Sequence, residues 1–198
     1  TSNRVGTNSC KGQLLQSPEV HFSQFWNTHN IYSELDGGVF DVFMRDNTLS
    51  PIGRALWIWN RFLGNEMVAA TSSEHIRCFA SRKAGQQITL FLLNKDTSSR
   101  TASVAFQHLP EGFTRGEQWV FRGSGPLDRN PIWARAGATD VTKSQIIVQL
   151  DPVSVTVVLL TPEQNPEDKA ARASSLAGPS PREIMSLDFD WRFHRGDI

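Results

Sequence analysis

The chain has 198 residues, 39% of them hydrophobic, which is enough to fill an ordinary globular core. Twenty basic residues cancel twenty acidic ones, so charge gives no reason to expect nucleic acid or an anionic membrane surface as partner, and a neutral ligand is expected instead. No stretch approaches the roughly 18 apolar residues of a membrane span, the polar opening from Thr1 to Gly12 contains no apolar signal segment, and the five histidines lack metal-ligand spacing. Cys10 and Cys78 are too few for a disulfide framework or a structural zinc site, and both read as core fillers.

In chain order, a short helix is expected around Cys10 to Gln16, ended by Pro18. The run "VHFSQFWNTHN" (20–30) reads as a buried strand that opens into an aromatic and amide cluster, Trp26, Asn27, His29 and Asn30. The clearest local signal follows in "LSPIGRALWIWNRFLG", where Ser50 is placed to cap a helix, Pro51 suits its first position and Gly64 marks its stop. Ile52, Ala55, Leu56, Trp59, Phe62 and Leu63 form one apolar stripe. Trp57 falls partly off that stripe, which predicts a helix packed against two neighbours.

From residue 65 to 161 the texture is that of an antiparallel β-sandwich. The expected strands are "HIRCFAS", "QITLFLLNK", "TASVAFQHL", "EQWVFRG" and one long run, "QIIVQLDPVSVTVVLLT", with turn material between them. In the last run Val153, Val155, Val157 and Leu159 share one face while Val158 and Leu160 make the other apolar as well, so this strand is expected to be central and covered on both sides. "NPIWARAG", which carries Trp133, reads as a loop. Residues 162–184 have the Pro, Ala, Ser and charge content of a linker, and 185–198 turn apolar and aromatic again, as at the start of a further β domain.

The ordered succession "VHFSQFWNTHN", "TLSPIGRALWIWNRFLG" and "MVAATSSEHIRCFASRKAGQQITLFLLNKD" resembles the C-terminal end of clan A glycoside hydrolases of the arabinofuranosidase and xylosidase type. The resemblance implies a mainly β chain: an antiparallel β-sandwich preceded by the last strand and helix of a (β/α)8 barrel. Residues 1–64 would be the barrel end, with its eighth strand at 20–26 and its eighth helix at 50–63, whose apolar stripe would face the rest of the barrel while the few residues after Leu63 hold its C-terminal end against the sandwich edge, with Trp57 or Trp59 in contact. Residues 66–161 would be the sandwich. Because such barrels hold their sites at the C-terminal strand ends, Trp26, Asn27, His29 and Asn30 would project toward the sugar, the indole stacking on a ring face and the amides pairing with hydroxyls.

In that family the catalytic acid/base and nucleophile stand on the fourth and seventh strands, both upstream of Thr1. Glu19, Glu34, Asp36 and Asp41 are the nearest carboxylates here; none matches a family catalytic position, and each is expected to be a solvated loop or surface group. The resemblance thus implies the non-catalytic end of a glycoside hydrolase acting on plant or algal-type polysaccharides or oligosaccharides. It calls for no catalytic residue in this chain, no metal and no cofactor. Its partners would be the carbohydrate substrate and the remainder of the same polypeptide, and its location extracellular or periplasmic. The tail "SLDFDWRFHRGDI" also resembles the opening of the sugar-binding jelly-roll domain of the β-galactosidase and β-glucuronidase family, through Trp191, Arg192, Phe193, His194, Gly196 and Asp197. Two other readings stand beside this one: a stand-alone carbohydrate-binding module with Trp119, Phe121 and Trp133 as its platform, and a structural interaction domain.

Overall fold

Strands with apolar residues on both faces need cover on both sides, and that requirement sets the layers of this protein. The computed structural model describes residues 3–17, 19–20, 41–44, 46–124, 128 and 130–163, all within a unit of residues 1–163. The expected linker beyond 163, the tail resemblance and all of the expected eighth strand after Val20 lie outside the described residues. Val20 itself is in no strand and is 37% exposed.

Two helices, α1 (Asn3–Gln16) and α2 (Pro51–Phe62), precede eight strands: β1 (Glu66–Val68), β2 (Ile76–Lys83), β3 (Gln87–Asn94), β4 (Arg100–Ala105), β5 (Arg115–Arg122), β6 (Ile132–Asp140), β7 (Gln145–Leu150) and β8 (Ser154–Leu160). A six-stranded sheet runs β1-β2-β3-β8-β5-β6 and a two-stranded sheet pairs β4 with β7. Every pairing is antiparallel. The chain is therefore mainly β, as expected.

β8 is central, between β3 and β5. Its Val158 and Leu160 join Ala80, Leu90, Leu92, Ile146, Val148 and Leu150 in the core between the two sheets. Its Val155 and Val157 join Phe79, Phe91, Leu93 and Phe121 on the opposite face, which α2 covers with Ala55, Ile58, Trp59 and Phe62. Trp59 thus meets the sandwich as expected, but the stripe as a whole faces the sheet rather than the rest of a barrel. The sheet's second apolar face would otherwise lie in water, and the stripe is the cover it receives. Ile58 belongs to the buried set in place of Leu56.

The start of α2 is built as the sequence indicates. The Ser50 side chain accepts from the Gly53 N–H, Pro51 stands in the first turn, and the Leu63 N–H closes the helix on the Trp59 carbonyl. α1 is longer than expected, and Cys10 on it is exposed rather than a core filler, whereas Cys78 is buried. A Cβ on Gly12 would stand 2.6 Å from the Phe79 ring, so the glycine is what lets α1 approach the sheet.

Two strand assignments also change. The run 145–161 is two strands in different sheets, broken at Asp151–Val153, where Pro152 has no N–H for a ladder and Val153 takes a positive φ of 43°. The stretch around Trp133 is strand β6, not a loop. It lacks apolar alternation because it is an edge strand, held by its ladder to β5.

Asn94, fully buried, ties these ends together. Its Nδ2 donates to the carbonyls of Ser98 and Asp151, both at 2.8 Å, and its Oδ1 accepts from the Asp96 N–H at 3.0 Å. Asn94→Ala removes all three bonds, although the Asp151 carbonyl keeps the Ser154 hydroxyl at 2.7 Å, and should lower the unfolding free energy by about 1–2 kcal/mol, read as a lower urea midpoint at unchanged slope. The β6–β7 hairpin points the other way. Lys143 and Ser144 both have positive φ, 51° and 56°, between reciprocal Thr142–Gln145 hydrogen bonds, a geometry that favours Asn-Gly. The double substitution Lys143→Asn, Ser144→Gly should raise stability by about 1 kcal/mol, visible as a higher Tm.

Candidate functional site

The cluster Trp26, Asn27, His29 and Asn30 lies outside the described residues, as do Glu34 and Asp36. What is described is the segment that follows them. Residues 42–44 and 46–49 pair as the two sides of a small hairpin: the Met44 N–H donates to the Thr48 carbonyl, Phe43 bridges Leu49, and the Ser50 N–H donates to the Val42 carbonyl at 2.9 Å. Asp46 fixes its turn by accepting from the Thr48 N–H and hydroxyl, bonds that hold its carboxyl below the ordinary carboxylate range. The hairpin closes on α2 itself, since a Cβ on Gly53 would lie 2.2 Å from the Val42 carbonyl oxygen. Ser50 Oγ, besides capping the helix, donates to the Asp41 carbonyl. Residue 41 is thus anchored to the helix that stands on the sheet. Asp41 is buried, against the expectation of a solvated group, while Glu19 is exposed as expected.

The alternative aromatic platform is occupied by the protein's own helix. Phe121 is fully buried. The Phe62 ring lies 5.2 Å from Trp119 and 5.5 Å from Trp133, and Trp57 meets Trp133 edge-on at 6.2 Å. Trp57, off the stripe, thereby reaches a second neighbour, as its position predicts. Arg54 secures this side by donating to the Pro131 carbonyl at 2.7 Å and to Asn130 Oδ1 at 3.0 Å. The three aromatics that the alternative reading offers to a sugar are instead packed beneath or beside α2.

Four carboxylates of the sandwich are paired with arginines. Glu66 pairs with Arg82, Asp96 with Arg100, Glu117 with Arg135 and Asp151 with Arg122. The arginine hydrogen bonds hold the Glu66 and Asp96 carboxyls below their ordinary range. These largely exposed pairs contribute little each, and none combines with a neighbouring free acid in a cleft. Among the described residues no group of His, Cys, Asp and Glu could hold a metal ion, and no helix is long and apolar enough to cross a membrane.

A groove of about 960 Å³ opens between the free edge of β4 and the β1–β3 side of the large sheet. Its wall includes Cys78, Ala80, Leu90, Leu92, Val104 and Phe106. Burial pushes the Cys78 thiol up to about 11, which keeps it protonated and a poor nucleophile at neutral pH. The wall mixes this apolar surface with polar groups that include Ser73, Arg82, Lys83, Gln87 and His108.

No protein-family model matches the chain, and no curated protein matches it. Among solved structures it is similar to a GH30 endoxylanase from Clostridium papyrosolvens C71, with a TM-score of 0.62 and 13% identity over 80% of this chain and 38% of that one. It is also similar to Xyn30A, a glycoside hydrolase family 30 subfamily 8 xylanase from Clostridium acetobutylicum, with a TM-score of 0.51 and 16% identity over 62% of this chain and 31% of that one. This chain therefore spans well under half the length of either neighbour. At these identities the likeness is one of fold, and the fold is one that glycoside hydrolases contain.

Proposed function

We propose that this chain is the C-terminal, non-catalytic portion of a glycoside hydrolase acting on plant-type polysaccharides or oligosaccharides. Residues 1–64 would complete its (β/α)8 barrel and 65–161 would form a supporting sandwich. The observation that carries the reading is the extent of the likeness: 80% of this chain aligns with the endoxylanase, more than residues 65–161 alone provide, so the match extends past the sandwich. The position of α2 agrees with this. A helix that covers the sheet's aromatic face with Trp57, Trp59 and Phe62 makes the sandwich a brace for the helix and leaves no stacking platform at Trp119, Phe121 and Trp133.

On this reading Trp26, Asn27, His29 and Asn30 are the chain's contribution to sugar binding. The acid/base and nucleophile of a retaining mechanism, two carboxyls about 5 Å apart, belong to other strands of the same polypeptide. No cofactor enters, and the enzyme works outside the cytoplasm on an extracellular glycan. The purified chain should release no phenol from aryl β-xylosides or α-arabinofuranosides, and should not be retarded by xylan in affinity electrophoresis. Turnover that persists through purification and disappears in Glu34→Gln or Asp36→Asn would overturn the non-catalytic assignment. Retardation abolished by Trp133→Ala, in a variant that still melts cooperatively, would favour the stand-alone binding module.

A further inference from the structure

No further inference is drawn: the strongest candidate, the mainly apolar groove between the free edge of β4 and the β1–β3 side of the large sheet, carries nothing because nothing in the structure shows what covers it.

Discussion

Trp59→Ala should lower the unfolding free energy by about 3–5 kcal/mol, the range for removing a buried aromatic side chain. Trp59 is fully buried. Its indole stacks on Phe91 at 3.8 Å and 10°, and meets Phe79 edge-on at 5.8 Å, so truncation opens a cavity directly between α2 and the sheet. At roughly 2–4 °C per kcal/mol for a unit of residues 1–163, Tm should fall by about 6–20 °C. Trp57→Ala, at a half-buried position whose only ring contact among the described residues is Trp133, should cost clearly less. Trp59→Phe separates packing from polarity. The Trp59 Nε1–H is buried and finds no hydrogen-bond partner among the described residues, so exchanging the indole for a phenyl ring removes an unsatisfied donor along with some apolar area. Its cost should stay below about 1.5 kcal/mol. Unchanged melting curves for both alanine variants would mean that α2 does not dock on the sheet, and the brace reading would lose its physical basis.

That docking shows where the sequence is informative and where it is ambiguous. The existence and start of α2 are legible because Ser50 and Pro51 are local signals that act through the first turn alone. β2, β3 and β8 are legible because they are short apolar runs, with β-branched and aromatic residues and turn residues at their ends, which suit strands buried on both faces. The direction in which the stripe faces is not local information: the same side chains could cover a barrel or a sheet. Only the pairing of distant strands, which brings Phe79, Phe91, Phe121 and Val157 onto one surface, creates the competing partner. β6 escapes notice for a related reason. Its half-buried and exposed residues come in blocks rather than alternating, and its strand character comes from its ladder to β5 rather than from its own pattern. The break between β7 and β8 did carry a signal in Pro152, outweighed by the length of the apolar run around it. The Trp26 cluster is legible only as a composition of residue types at the end of an expected strand, and it lies outside the described residues.

Gly64→Ala should be the second severe substitution, at about 3 kcal/mol, toward the upper end of what forced overpacking costs. The sequence marks Gly64 as a helix stop, which suggests a left-handed backbone, yet the helix ends otherwise, through an extended Leu63 whose N–H bonds to the Trp59 carbonyl. The glycine is needed for space. A Cβ there would lie 2.4 Å from the Arg82 carbonyl oxygen and 2.7 Å from the Arg82 nitrogen, atoms of a strand backbone that cannot rotate away. The same approach lets the Gly64 N–H donate to Ser81 Oγ at 2.9 Å. Close by, the Phe62 carbonyl accepts from Thr89 Oγ1 and Gln87 Nε2, at 2.8 and 3.0 Å, so the end of α2 is fastened to both β2 and β3. Gly85, in the β2–β3 turn, is the opposite case: its φ is +66° and nothing lies within 4 Å of a Cβ. Gly85→Ala should cost only about 1–2 kcal/mol, the expense of a left-handed backbone, and Gly85→Asn should recover part of it because asparagine tolerates that region. No such recovery is available at Gly64, where any side chain meets the same carbonyl. If Gly64→Ala and Gly85→Ala cost the same, and asparagine recovers stability at both, then the contact between the end of α2 and Arg82 is not tight, and the sandwich does not hold the helix in the way the hydrogen bonds of Phe62 and Gly64 require.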